Sequence, residues 1–185
     1  MAFFFCDFKD TTKQNIRSLL SSLVVQLSYQ SDSFYKILHG FYTSHRDGSQ
    51  QPSVGALTQC LEDMLKVPGK SPIYLIIDAL DECPGTSGIK SPREEVLGLV
   101  TALVELHIPS LRLCVTSRPE IDIQTILEPL TSTSNRVSLH DQNGQRRDIV
   151  DYVSSVVYQD LKMKKWREND KRHVIETLSE RADGM

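Results

Sequence analysis

Asp78, Asp81 and Glu82 place three carboxyl groups within five residues, directly after the apolar run Ile73-Tyr74-Leu75-Ile76-Ile77. Carboxylates gathered this way can hold a hydrated divalent cation or orient an attacking water. Two like charges about 4 Å apart repel by roughly 1 kcal/mol in water and about 4 kcal/mol at an effective dielectric near 20. Something positive should offset that, and a Mg²⁺ ion carrying nucleotide phosphates suits the chemistry best. A second candidate is Arg118, in Leu111-Arg112-Leu113-Cys114-Val115-Thr116-Ser117-Arg118-Pro119. An arginine just past a strand end can reach a terminal phosphate, and Pro119 confines it to extended backbone conformations. Without nucleotide the same arginine can pair with Asp81 or Glu82.

The elements that must position these groups are legible in the pattern. A continuous, mostly β-branched apolar run reads as a strand buried on both faces of a parallel sheet. Such sheets carry their chemistry at the carboxyl ends of the strands. Ala2 to Cys6 reads as a first strand, Leu111 to Val115 as another, and Val137 with Leu139 as a last, weak one. Thr11-Thr12-Lys13-Gln14 fits a capping box before a helix carrying Ile16, Leu19, Leu20, Leu23, Val24 and Leu27. Further helices are expected through Phe34, Ile37, Leu38 and Phe41, and through Leu57, Cys60, Leu61, Met64 and Leu65. Ser91-Pro92-Arg93-Glu94 is a strong helix start, with Val96, Val100, Leu103 and Val104 behind it. A short helix through Ile121 and Leu127 should end at Pro129. The segment from Cys83 to Ser91, with Pro84, Gly85 and Gly88, reads as a loop at the acidic edge. From Gln145 the pattern is helical only, with Ile149, Val153, Val156 and Val157 on one helix and Val174, Ile175, Leu178 and Ala182 on another.

Composition bounds the function classes. The chain has 185 residues, 39% hydrophobic and 24% charged, with a formal net charge of -3. That balance gives no electrostatic reason to expect nucleic acid as a ligand. The basic run Lys162-Met163-Lys164-Lys165-Trp166-Arg167 reads as a solvated interhelical face with Trp166 as a packing anchor. The four cysteines, Cys6, Cys60, Cys83 and Cys114, show no C-x-x-C spacing, and they read as reduced, mostly buried thiols in a cytosolic protein. The stretch Met1-Ala2-Phe3-Phe4-Phe5-Cys6-Asp7 lacks the basic start and longer apolar core of a signal peptide, and no apolar run approaches the roughly 20 residues of a membrane span. The expectation is a cytoplasmic protein without a membrane span.

Asp78-Ala79-Leu80-Asp81-Glu82 resembles the Walker B segment of P-loop NTPases, in the form found in the NACHT family of STAND-class switches. Thr116-Ser117-Arg118-Pro119 is similar to the turn after the sensor strand of that family. Glu180-Arg181-Ala182-Asp183-Gly184-Met185 looks like a segment of its fungal, NLR-like members. The resemblance implies that Asp78 helps hold Mg²⁺, that Asp81 and Glu82 position the attacking water, and that Arg118 senses the terminal phosphate of ATP or GTP. It also implies an α/β fold, a P-loop NTPase-like parallel sheet with helices on both faces, followed by the start of an all-α domain. The expected domains are 1–141, the NTPase core, and 142–185, the first helices of the next domain. The implied partners are a nucleotide triphosphate, further copies through the NTPase module, and repeat and effector domains of the same full-length protein.

One departure bears on all of this. No G-x-x-x-x-G-K-[ST] occurs in the sequence. The resemblance implies that the chain begins after the phosphate loop and stops inside the helical domain. It also implies a missing first strand, which in the family lies between the sensor strand and the last strand. Without the loop's N–H groups and lysine, most phosphate-binding energy is absent. The expected function is therefore a partial NTPase-switch module that does not by itself complete an enzyme. A non-catalytic interaction module of the same fold is the alternative. A Mg²⁺-dependent phosphotransferase using Asp78 as nucleophile is a third reading, and it would need phosphate-binding residues not found in the sequence.

Overall fold

Three short runs form strands: β1 (Ala2–Phe5), β2 (Ile73–Asp78) and β3 (Leu111–Val115). The computed structural model of the chain describes residues 1–69, 71–85, 91–138 and 143–181. The strands pair in parallel in the order β1-β2-β3, with Ala2 opposite Leu75, Phe5 opposite Asp78 and Ile77 opposite Val115. This register brings the carboxyl ends of β2 and β3 side by side, so the residues that follow them share one edge. The α/β class with a parallel sheet is as the sequence predicts.

Four of the helices begin where a side chain accepts from one of their first free N–H groups. Asn15 caps α1 (Ile16–Ser28), Ser31 caps α2 (Asp32–Ser44) and Ser53 caps α3 (Val54–Leu65). The capping box expected at Thr11 is absent. Asp10 instead accepts from Thr12 N–H at 3.0 Å and opens a single 3₁₀ turn over Thr11–Lys13, and Asn15 starts the helix. Asp and Asn are stronger N-caps than Thr, which accounts for the difference. The box expected at Ser91 and Glu94 is present and starts α4 (Pro92–Glu105). α5 (Ile121–Leu127) follows β3.

The core is one cluster built on one face of the sheet. Ala2, Phe4, Cys6, Leu75 and Ile77 point into it, and α1, α3 and α4 contribute Leu19, Leu23, Leu61, Met64, Leu97 and Leu103. α1 is the central helix, packing on β1, α2, α3 and α4. The opposite face differs from the expectation of helices on both faces: Phe3 (41% exposed), Phe5 (52%) and Tyr74 (48%) lie open there. β2 therefore alternates in burial despite its unbroken apolar sequence, because Tyr74 and Ile76 fall on the uncovered face.

The two sheet edges are treated differently. Gln26 of α1 closes the outer edge of β1: its side chain accepts from Phe3 N–H (3.0 Å) and donates to Phe3 C=O (2.7 Å). Gln30, one turn on, donates to Met1 C=O at 2.7 Å. Side-chain amides thus take the place of a neighbouring strand. On β3 the Arg112 guanidinium donates to Leu111 C=O at 2.9 Å, and among the described residues no other strand pairs with its outer side.

The chain divides into two compact units, Met1–Thr131 and Ser132–Met185. In the second, α6 (Asn143–Gln159) and α7 (Glu168–Arg181) form the helical segment expected from the pattern. Tyr158 joins them, donating its hydroxyl proton to Glu168 while the Lys171 ammonium sits 5.2 Å from its ring centroid. Val137 is 72% exposed and has no strand partner among the described residues. Leu139, Gly88 and the tail Ala182-Asp183-Gly184-Met185 lie outside the described residues. Trp166, expected as a packing anchor, is 42% exposed.

Candidate functional site

β2 ends at Asp78, and the chain then turns through Ala79 in the left-handed region (φ 55°) into a 3₁₀ turn over Leu80–Glu82. For alanine that conformation costs about 1 kcal/mol, so the neighbouring contacts must hold it. Thr116, the first residue after β3, supplies them. Its hydroxyl donates to Asp78 Oδ1 and accepts from Ala79 N–H at 3.0 Å. Its backbone bridges the same turn, with Thr116 N–H to Ile77 C=O (3.0 Å) and Leu80 N–H to Thr116 C=O (2.9 Å).

The three acids are separated by their partners. Asp78 takes the Thr116 hydroxyl. Asp81 faces the turn after β3, accepting from Arg118 N–H at 3.0 Å and pairing with the Arg118 guanidinium (Nε to Oδ2 3.4 Å). Glu82 turns toward β1 and accepts from Phe8 N–H at 3.0 Å. Mutual repulsion among the three is therefore relieved by three different donors. Asp81 is only 9% exposed and Arg118 is 77% exposed, so the arginine reaches from solvent to a nearly buried carboxylate. A pair with one exposed partner holds by about 1 kcal/mol or less, and an incoming phosphate can compete for the arginine.

Beneath the turn lies Arg93 of α4, 8% exposed. Nη2 donates to Asp81 C=O at 2.6 Å and Nε to Cys83 C=O at 2.9 Å, and Nη1 contacts Glu120 and Asp122 (3.1 Å to the latter). Burial alone would lower its pKa, but the carboxylates of Asp122 and Glu120 outweigh that and raise it. Gly85 packs so closely that a Cβ there would stand 3.1 Å from Arg93 Nη1. Arg93 has the periodic signal that would have revealed it: it lies three and seven residues before Val96 and Val100, on the buried face of α4.

Cys83, at the end of the turn, touches Cys6, the residue after β1, with the two sulfurs 3.3 Å apart and both side chains buried. Their shared hydrogen bond raises the pKa of Cys6 and lowers that of Cys83, where the Arg93 charge adds to the lowering. Cys114 departs from the expectation of a buried thiol and is exposed on β3.

Among the described residues no three His, Cys, Asp or Glu side chains gather in a metal-holding group. The donor set still fits Mg²⁺, which keeps most of its waters and uses one or two carboxylates plus substrate phosphates. Asp78, with Oδ1 fixed by Thr116, is the carboxylate that could take that role.

A three-stranded parallel sheet with helices, its adjacent strand ends carrying an acidic turn and a facing arginine, puts the chain in the α/β class. A family model described as nephrocystin 3, N-terminal, matches residues 1–118, and the chain belongs to that family. The match spans all three strands, the acidic turn and Arg118. No curated protein and no solved structure matches the chain.

Proposed function

We propose that the chain is part of a NACHT-type nucleotide-binding module of a signal-transducing NTPase switch. The observation that carries this reading is the pairing of Asp81 with Arg118 across the ends of β2 and β3, beside Asp78. In this reading Asp78 would hold Mg²⁺ through its hydration shell, and the ion would supply charge to the nucleotide phosphates. Arg118 leaves Asp81 for the terminal phosphate of ATP or GTP, and Asp81 and Glu82 are then free to orient water. A phosphate loop must come from outside the 185 residues, because none is in the sequence. Further copies of the module and repeat and effector domains are the partners this reading entails.

A second reading, a non-catalytic interaction module, is favoured by the absence of that loop and by the donors that already satisfy all three acids. Amide chemical shifts of the chain, followed during titration with Mg-ATP and Mg-GTP, separate the two. The switch reading expects shifts at Asp78–Glu82 and Thr116–Arg118 with millimolar affinity, about -4 kcal/mol. Silence at those amides up to about 10 mM nucleotide, well above that affinity, would leave the interaction module standing.

A further inference from the structure

We propose that Cys6 and Cys83 are an oxidant-sensitive pair that closes to a disulfide and clasps the end of β1 to the acidic turn. The two sulfurs are already 3.3 Å apart and buried together, so closure asks for an approach of about 1 Å. Both residues belong to segments fixed on either side of the pair. Cys6 N–H donates to Asp78 C=O at 3.0 Å, Cys83 N–H donates to Leu80 C=O at 3.1 Å, and Cys83 C=O is held by Arg93. The other two thiols lack this arrangement: Cys60 is buried on α3, and Cys114 is exposed on β3.

The oxidant class is a small peroxide, since a bulky disulfide would not reach sulfurs this deep. One thiol, as its thiolate, attacks a peroxide oxygen. The O–O bond breaks, and the leaving hydroxide takes up a proton to become water. The resulting sulfenic acid is attacked by the second sulfur, the S–O bond breaks, and a second water leaves. Two thiols and one hydrogen peroxide thus give one disulfide and two waters, the two electrons passing from sulfur to oxygen. A dithiol reductant reverses the bond.

Closure would pin Phe8 beside Glu82, since the Phe8 N–H that Glu82 accepts lies two residues after Cys6. The proposal does not depend on nucleotide binding, and its failure leaves the nucleotide reading untouched. The test uses the full chain and a Cys114→Ser variant, which removes the exposed thiol. Each is exposed to about one equivalent of hydrogen peroxide, alkylated after unfolding, and mapped by peptide mass spectrometry. The expected result is a monomer about 2 Da lighter before alkylation, with Cys6 and Cys83 peptides linked, Cys60 alkylated, and dithiothreitol restoring both thiols. Hydrogen exchange at Cys6–Lys9 should slow in the oxidised form. Cys6→Ser and Cys83→Ser should each abolish the link. Recovery of Cys6 and Cys83 as alkylated thiols, or as sulfinic acids with no linked peptide, overturns the proposal. A link between any other pair does the same.

Discussion

The hydroxyl of Thr116 donates to the Asp78 carboxylate and accepts from Ala79 N–H at 3.0 Å, so one side chain both aims the acid and holds the left-handed turn after it. Asp78 ends β2 and Thr116 follows β3, so the contact depends on the parallel register of the two strands. The position of the acid and the strain at Ala79 therefore have a common support. Removing that support leaves Ala79 N–H and an Asp78 oxygen without their partner.

Thr116→Val should accordingly destabilise the first unit by about 1–2 kcal/mol, the usual cost of orphaning such groups where water has partial access. Thr116→Ser keeps the hydroxyl and should lose less than half as much. Urea denaturation of the two variants checks this. A larger loss in Thr116→Ser than in Thr116→Val would mean that the threonine methyl, rather than the hydroxyl, holds the turn.

Arg93 tests the other side of the same turn. It spans two backbone carbonyls and two carboxylates from one planar fork, a geometry that lysine cannot reproduce. Arg93→Lys should cost about 1–2 kcal/mol and Arg93→Ala about 2–3 kcal/mol. The half-exposed state of Glu120 and Asp122 places both figures below those of a fully buried pair. Denaturant midpoints report the loss, and an Arg93→Lys protein as stable as the parent would remove the fork from the account.

How much of this was legible in the sequence differs from element to element. The three strands of the sheet, the helices and the acidic turn were, because β-branched runs and 3.6-residue periodicity are local signals, whereas the weak strand expected at Val137 is not formed there. The open sheet face was not: Tyr74 and Ile76 are as apolar as the residues that do become buried, and only the packing of the helices decides which side is covered. The division of the three acids was visible only in part: the pairing of Arg118 with Asp81 or Glu82 follows from the sequence, whereas the donors to Asp78 and Glu82 come from separate segments and were hidden. Thr116 shares a motif with Arg118, but nothing local to it names its partner, and a backbone N–H such as that of Phe8 leaves no trace in the sequence. Arg93 belongs to a helix-start motif, and its spacing from Val96 and Val100 places it on the apolar face of α4.

The sheet edges make a prediction about association. Gln26 and Gln30 close β1, whereas among the described residues no other strand pairs with the outer side of β3, and Cys114 on that strand is exposed. An open edge is a template for pairing with another chain. Light scattering under reducing conditions should show mass increasing with concentration. Cys114→Lys, which places a charge on that strand, should reduce the increase several-fold. A strictly monomeric parent chain up to high concentration would show that the edge is not used.

Cys60 gives a pH dependence of defined sign. Burial pushes its thiol up to about 11, and it is 3% exposed. The unfolded thiol ionises first, so the unfolded chain binds fewer protons and stability falls as pH rises from the unfolded value, near 8.5, through the folded one. Between pH 7.5 and 10.5 the contribution should amount to roughly 2 kcal/mol. Other groups titrate in the same window, so the quantity to measure is the difference between the parent and Cys60→Ala. The two urea stabilities should converge at high pH, and a constant gap between them would contradict the assignment.

The roles of the site residues separate under the switch reading, and the Mg-ATP titration followed by amide shifts can resolve them one by one. Asp78 stands at the strand end with one oxygen fixed by Thr116, so Asp78→Asn keeps the shape and removes the charge that would attract Mg²⁺. Its weak nucleotide affinity should stop responding to Mg²⁺. Glu82 points away toward Phe8 N–H, and Glu82→Gln should leave binding within about twofold of the parent, since that hydrogen bond survives the change and a twofold shift is well below the 1.4 kcal/mol of a tenfold one. Arg118→Ala should bind ATP and ADP alike, because the group proposed to distinguish the terminal phosphate is gone. It should also leave Asp81, 9% exposed, without its cation, which lowers stability by about 1 kcal/mol or less. Asp81→Asn provides the reciprocal test: it releases Arg118, and if the arginine is held back from the phosphate by this ion pair, ATP affinity should rise by up to about fivefold, the equivalent of 1 kcal/mol. A rise in ATP affinity with no change for ADP would place Arg118 at the terminal phosphate. Loss of Mg²⁺ dependence on Glu82→Gln, with Asp78→Asn unaffected, would instead exchange the two acids and undo the alignment of β2 with a Walker B strand.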